Sequence, residues 1–243
     1  MLKGISFLLL FSISMFSNAY VISGEKWGDP EFGSGAIVSW SYMDTGLSCN
    51  GTYESIGCSV TSLADFMPLG FENEIERSFD AWSDIAGLTF IQVPDSGDAF
   101  NAHGSSGDIR LGGHSFDGPG GILAHGYLPQ PGSSAAGDIH FDSGDLWTTS
   151  FGTPGFDIFQ VFTHELGHAL GLDHTNVPRS LMNPYYTQAF SGPQADDFAG
   201  IQYLYGLPAA GNEVPEPASV FLLMIGLLGL IAVRKRHKVV SDA

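Results

Sequence analysis

Three histidines and one glutamate carry the clearest chemistry in this sequence, in the segment His164-Glu165-Leu166-Gly167-His168-Ala169-Leu170-Gly171-Leu172-Asp173-His174. His164 and His168 are four residues apart, so on a helix their imidazoles stack on one face and can share a metal ion. Two ligands alone bind weakly. Gly171 can take a positive φ, end the helix and turn the chain so that His174 supplies a third nitrogen. Three protein ligands leave the fourth tetrahedral position of zinc to water, the arrangement of a catalytic rather than a closed structural site. From its place on the helix Glu165 does not easily reach the same ion. Its carboxylate is suited instead to accept a proton from zinc-activated water and to deliver one to a leaving group. The expected chemistry is metal-assisted hydrolysis, with the zinc polarising a carbonyl.

These residues need a scaffold, and the hydrophobic pattern supplies one. Residues 156–172 are apolar at Ile158, Phe159, Val161, Phe162, Leu166, Ala169 and Leu170, which predicts a buried helix. A second, amphipathic helix is expected over residues 72–85, with Ile75, Phe79, Ala81, Trp82 and Ile85 on its apolar side, and a third over residues 194–205. Strand-like runs occupy residues 36–42, 88–93, 108–111, 122–128 and 138–141, with a Gly-rich loop at 112–121. The domain from residue 20 to 207 therefore reads as α+β, a small mixed α/β unit.

Composition bounds the partners. With 9 Lys and Arg against 26 Asp and Glu, the net charge of −17 argues against a nucleic-acid surface and suits an extracellular or cation-binding protein. The 32 glycines follow no fixed period, which excludes collagen-like and repeat architectures. Residues 1–19 have an early Lys3, an apolar run and small residues ending at Ala19, the layout of a signal peptide; an uncleaved anchor is the alternative. Cys49 and Cys58 lie in a Ser-, Gly- and Thr-rich stretch that reads as a surface loop, and a disulfide between them is expected in an exported protein. No histidine is near them in sequence, which argues against a zinc site there.

Past a linker at 208–217, Val214-Pro215-Glu216-Pro217 precedes an apolar run and then Arg234-Lys235-Arg236-His237-Lys238, so residues 218–243 read as a hydrophobic transmembrane anchor with a basic stop. This tail resembles the PEP-CTERM sorting signals of Gram-negative bacteria. The resemblance implies transient anchoring in the inner membrane, processing by an exosortase-like enzyme, and a final place at the cell surface or in the extracellular matrix. A plain anchor is the other reading.

Ser180-Leu181-Met182-Asn183-Pro184 follows the third histidine, and a Met there resembles the Met-turn of metzincins, an apolar floor under the zinc ligands. Lys26-Trp27-Gly28, residues 116–125, residues 138–142, the zinc helix and residues 196–206 together make the chain similar to the matrixins, the matrix-metalloproteinase family of metzincins. The resemblance implies a twisted five-stranded, mostly parallel sheet with three helices. The implied activity is that of a zinc-dependent endopeptidase cutting protein or peptide substrates. A dedicated processing or autolytic peptidase of the extracellular matrix, or a catalytically idle calcium-binding surface protein, are the alternatives.

The resemblance also implies further sites. His125 and His140 match two ligands of a structural zinc; the family's His-x-Asp pair is missing, and His114, or more weakly His103, could substitute. Otherwise these are polar residues on neighbouring strands. Asp117, the carbonyls of Gly118, Gly120 and Ile122, and the carboxylates of Asp142 and Asp145 match a calcium site, and Asp108 and Asp138 a second one completed by carbonyls near Ser134 and Ala136. As the bland alternative, the aspartates form turns among glycines. Substrate is expected to add as a strand along Ile122, Leu123 and Ala124, with Tyr185 and Tyr186 walling the pocket just past the cut. No Cys lies between Ala19 and Trp27, so capping of the zinc by a cysteine is not expected.

Overall fold

Residues 20–49, 57–100, 107–130, 132–133 and 135–209 are described by the computed structural model. The expected signal peptide, His103, Ser134, most of the linker and the expected anchor lie outside these residues. The chain divides into a unit of residues 1–208 and one of residues 209–243. Along the first run β1 (Val21–Ile22), β2 (Ala36–Tyr42), α1 (Leu63–Phe66), α2 (Phe71–Ser83), β3 (Leu88–Gln92), β4 (Ile109–His114), β5 (Ala124–Gly126), β6 (Ile139–Asp142), β7 (Trp147–Thr148), β8 (Phe156–Asp157), α3 (Ile158–Ala169), β9 (Leu172–Asp173) and α4 (Ala195–Tyr205). None of the helices among the described residues is long and apolar enough to cross a membrane.

The five-stranded sheet has the order β3-β2-β4-β6-β5. Four strands are parallel, and β5 alone runs antiparallel, along β6 at the edge. Every residue of β4 and β6 is buried, as expected of central parallel strands covered on both faces. This is the α+β class expected, with one addition to the three helices. The turn of helix at Leu63–Phe66 has four residues, too few to show a period in the sequence.

α2 buries Phe71, Ile75, Phe79 and Trp82 against α3. The Phe79 and Phe162 rings meet edge-on at 5.3 Å, Trp82 Nε1 donates to the Thr163 carbonyl at 3.0 Å, and Thr163 Oγ1 donates to Ser78 Oγ at 2.9 Å. Such polar contacts satisfy groups that would otherwise be costly to bury.

α3 is shorter than its apolar pattern. Asp157 caps it, its side chain accepting from the Gln160 amide at 2.8 Å, so residues 156–157 stay extended as β8. At the other end Gly171 adopts φ +104°, and residues 172–173 become β9, paired with β1. The Ser23 amide donates to the Gly171 carbonyl at 2.9 Å, and a Cβ at position 171 would run into the carbonyl oxygen of Glu25. Conformation and close approach both demand glycine here.

Cys49 and Cys58 are joined by a disulfide, but not on a surface loop. The antiparallel bridge Ser48↔Ser59 carries Cys49 into a second apolar cluster with Met43, Val60, Phe100 and Ala135, where it is fully buried. The buried guanidinium of Arg110 forms a two-bonded ion pair with Asp95, Nε and Nη2 each 2.8 Å from a carboxylate oxygen, and donates to the carbonyls of Asp98 and Ala99.

Gly171→Ala is expected to destabilise the domain by about 3 kcal/mol or more, from left-handed strain plus overlap with Glu25. Thermal unfolding should then begin roughly 6–12 °C lower for a domain of this size. An unchanged midpoint would show that the helix exit tolerates a side chain.

Candidate active site

α3 and the turn that follows it bring the three histidine rings together. His174 Nε2 lies 3.2 Å from His164 Nε2 and 3.1 Å from His168 Nε2. Zinc–nitrogen bonds of about 2.0–2.1 Å in a tetrahedron place nitrogens about 3.3–3.4 Å apart, so this triangle fits the ion closely. The other ring nitrogens are committed to the backbone. His164 Nδ1 donates to the Leu181 carbonyl at 2.6 Å and His168 Nδ1 to the Leu172 carbonyl at 2.9 Å. Each bond fixes the tautomer whose lone pair is on Nε2 and holds the ring in place. Burial, reinforced by the neighbouring His168, pushes the proton affinity of His164 down to about 3, and burial pushes that of His168 down to about 4. Both are neutral donors near pH 7.

Glu165 points from α3 toward the edge strand. Burial raises its carboxyl to about 8, while the amide of Gly126, which donates to it, pulls the other way. Gly126 touches α3 so closely that a Cβ there would overlap the backbone carbonyl of Glu165. On β5 the Leu123 carbonyl and the Tyr127 amide and carbonyl bond toward β6 and its approach. By the alternation of an antiparallel strand, the backbone groups of Ala124 and Gly126 face the other way, toward the helix and the cleft.

The floor is built by residues 180–182. Met182 is buried, and a Cβ added at Gly167 would come 2.5 Å from its sulfur, so the thioether lies directly under the zinc helix. The buried carboxylate of Asp197 accepts from Ser180 Oγ, from the amides of Leu181 at 2.7 Å and Met182 at 3.1 Å, and from the Gln194 amide at 2.7 Å. The Met182 carbonyl in turn accepts from the Thr175 amide at 3.0 Å, next to His174.

A cleft of about 670 Å³ opens above these groups. Its lining includes all five residues expected at the substrate site, Ile122, Leu123, Ala124, Tyr185 and Tyr186. Tyr186 is held, its hydroxyl accepting from the Asp157 amide at 3.1 Å and its ring edge-on to Phe156, whereas Tyr185 is 79% exposed. Gly126, Leu181 and Asp197 were not legible as site residues. The spacing of Gln194 and Asp197 at a helix start is a capping signal that could have pointed to Asp197.

The other expected sites are placed differently. His125 and His140 face each other across β5 and β6, and the His114 ring stands edge-on to His140 at 5.3 Å. Phe116 lies flat on the His125 ring at 4.4 Å and His114 Nδ1 donates to the Ser115 carbonyl at 3.1 Å. Their nitrogens do not converge as those of the first trio do. Among the described residues, two groups of three or more His, Cys, Asp or Glu have ligand atoms all within 4.8 Å of one another: His164, His168 and His174, and Cys49, Cys58 and His114. The second group corrects the expectation that no histidine stands near the cysteines.

In the loop before β5, Asp145 Oδ1 accepts from the Gly120 amide at 2.6 Å and Asp142 Oδ1 from those of Gly144 at 2.8 Å and Phe116 at 3.3 Å. The Oδ2 atoms of Asp142 and Asp145 are buried without a hydrogen bond, and burial together with the charges of Asp142 and Asp117 raises the Asp145 carboxyl. Gly118 and Gly120 take φ of +93° and +71° beside them. Orphaned carboxylate oxygens that repel one another fit a calcium ion. Asp108 accepts from the Ser39 amide and hydroxyl, and Asp138 Oδ1 from the Arg110 amide beside that residue's guanidinium, while Asp138 Oδ2 is buried without a hydrogen bond. Arginine already provides a positive charge in this part of the fold.

The matrixin profile, a peptidase domain, matches residues 54–206, and the PEP-CTERM protein-sorting motif matches residues 213–236. Matrix metalloproteinase-16 of Homo sapiens is 43% identical over 160 residues, which cover 59% of this chain and 24% of that protein. Macrophage metalloelastase of Oryctolagus cuniculus is 40% identical over 153 residues, covering 60% and 31%, and the hatching enzyme of Paracentrotus lividus 42% over 145 residues, covering 56% and 22%. The matched stretch thus spans less than a third of each of these relatives.

Two outcomes are expected. Asp197→Ala leaves several buried donors without an acceptor and should cost on the order of 3 kcal/mol or more. By releasing the Leu181 carbonyl it should also weaken zinc retention about 10–100-fold. Competition with a chelator measures this, and unaltered retention would separate the turn from the metal.

The second outcome concerns the metal-free protein and pH. The two histidines bind protons more readily unfolded, so each adds stability as pH rises from about 3 or 4 to 6.5. Glu165 holds its proton more tightly folded, so its contribution is complete below 4.5 and lost as pH rises through about 8. The histidines outweigh it up to 6.5, and of the three only Glu165 titrates above that. The contribution of these groups to stability, measured by unfolding across pH, should peak near 6.5 and then fall by up to about 1.4 kcal/mol per pH unit toward 8. Glu165→Gln should flatten that fall; a fall of equal slope in the variant rejects the assignment.

Proposed function

Because the chain belongs to the matrixin family, whose members are zinc-dependent metalloendopeptidases and typically bind calcium, we propose that it hydrolyses peptide bonds in exposed, extended segments of extracellular proteins. The observation that carries this reading is the convergence of three imidazole nitrogens beside a buried carboxyl, under a sheet edge that lines a cleft.

His164, His168 and His174 are the ligands in this reading. When bound, zinc supplies a Lewis acid that acidifies water and polarises the scissile carbonyl. The carbonyls of Leu181 and Leu172 keep the ring lone pairs turned to the ion. Glu165 takes the proton of the attacking water and passes a proton to the leaving amine, a role suited to a carboxyl whose apolar setting strengthens its hold on protons. The amide of Gly126 fixes where that carboxyl sits. An extended substrate adds to β5 through the outward backbone groups of Ala124, flanked by Ile122 and Leu123, and its side chain past the cut lies between Tyr185 and Tyr186. Met182 is a floor without a bond to the metal. Asp117, Gly118, Gly120, Ile122, Asp142 and Asp145 hold a calcium ion that braces the loop leading into β5, which the orphaned oxygens of Asp142 and Asp145 support.

Export and surface sorting accord with the PEP-CTERM motif. The finer reading is a chain held transiently in the inner membrane of a Gram-negative bacterium by residues 218–243 and processed by an exosortase-like enzyme.

The test is a peptidase assay of the purified protein on denatured protein and mixed peptides. Wild type should cleave, a chelator should abolish cleavage and zinc restore it. Glu165→Ala should lose on the order of 10²–10⁴-fold or more in rate while still retaining zinc. No cleavage by wild type with zinc and calcium present rejects the enzyme, and undiminished cleavage by Glu165→Ala rejects the mechanism.

A further inference from the structure

On the far side of β4 from the zinc helix, three soft or borderline metal ligands meet that are distant in sequence. Thr61 pairs with Gly113, its amide donating to the Gly113 carbonyl at 2.6 Å and its carbonyl accepting from the Gly113 amide at 3.0 Å. This bridge lays the arm that carries Cys58 along the end of β4, beside His114. The Cys49 amide donates to the Cys58 carbonyl at 3.2 Å, and the two α-carbons are 5.0 Å apart. Both sulfurs and a His114 ring nitrogen lie within 4.8 Å of one another. Because His114 Nδ1 donates to the Ser115 carbonyl, the ring carries its lone pair on Nε2.

We propose that Cys49, Cys58 and His114 form a second metal site, open to zinc only when the disulfide is reduced. Two thiolates and an imidazole are a preferred zinc donor set, with water in the fourth position. An external dithiol supplies the electrons: it is oxidised to its own disulfide while the Cys49–Cys58 bond is reduced to two thiols. Cys58 is partly exposed and takes the attack, expelling Cys49, which is fully buried among Met43, Val60, Phe100 and Ala135. A lone thiolate in that apolar surround is strongly disfavoured. Zinc binding removes both thiol protons and leaves two thiolates on a dication, a neutral unit that the pocket accepts. The sulfurs must separate to about 3.8 Å, the edge of a tetrahedron with zinc–sulfur bonds of about 2.3 Å, which side-chain rotation on the paired arms provides. The site shares no ligand with His164, His168 and His174, so it stands or falls independently of peptidase activity.

Cobalt(II) reads it directly, because only sulfur ligands give a strong near-ultraviolet charge-transfer band. The full chain is reduced with a dithiol, freed of reductant without air, and titrated with Co²⁺. Reduced protein is expected to show the band, saturating within two equivalents because the His164, His168 and His174 site takes up the other, to lose it when Zn²⁺ is added, and to protect both thiols from alkylation. The oxidised protein should show none. Cys49→Ser and Cys58→Ser should each lose the two-thiolate band, and His114→Ala should bind at least about 100-fold more weakly, since loss of an outer-shell partner alone costs 10–100-fold. Circular dichroism of each sample monitors folding. Reduced, folded protein with no band overturns the proposal, as does a reduced chain that unfolds and is not refolded by the metal. A band of undiminished affinity in His114→Ala removes the histidine and overturns the assigned site.

Discussion

The carboxylate of Asp197 sits at the start of α4 and accepts from both amides of the Leu181–Met182 turn, from Ser180 and from its own helix. Three features of the metal centre depend on that one group. The Leu181 carbonyl, held in place, orients His164. The Met182 carbonyl ties down the segment after β9 that carries His174, through Thr175. The Met182 side chain closes against Gly167 on α3. An ionised carboxylate is costly to bury, and here the cost is offset by four donors converging on two oxygens. Two rings of the trio are therefore oriented through the backbone, while the exposed His174 meets them through Nε2.

A second constraint runs between the sheet and α3. β5 and the zinc helix touch backbone to backbone at Gly126 and Glu165, with no room for a side chain between them. That proximity buries the Glu165 carboxyl and supplies it with a single amide donor. Burial without a cationic partner keeps its affinity for protons high, and the lone amide keeps it oriented. Position and proton affinity thus come from the same contact.

Much of this was legible in the sequence where the relevant interactions are local. The four-residue spacing of His164 and His168 and the glycine at 171 are read within one helix and its exit, and α2, α3 and α4 follow from apolar periodicity. The errors fall at short or capped elements and where partners are remote. Four residues at Leu63–Phe66 carry no period, and the cap at Asp157 shortened a helix whose apolar run began earlier. Cys49 was taken for a loop residue because its neighbours are small and polar, whereas the bridge from Ser48 to Ser59 turns it inward. His114 reaches the disulfide only through the Thr61–Gly113 pairing. Arg110, on a central strand whose other residues are apolar or glycine up to His114 at its end, is accounted for only by Asp95 and the carbonyls of Asp98 and Ala99.

The edge strand β5 is three residues long. An open sheet edge ordinarily invites any other edge, including that of a second copy of the same chain, and proteins suppress such pairing by keeping their edges short. Three residues with alternating orientation leave few outward backbone groups, and one amide among them is already bonded to Glu165. A rigid folded strand laid against so short an edge gains little. A pliable chain can make the same few bonds and then follow the groove with its side chains. For the peptidase proposed above, the brevity of this strand would act as a filter on the state of the incoming polypeptide, favouring unfolded or loosely tethered segments over intact domains.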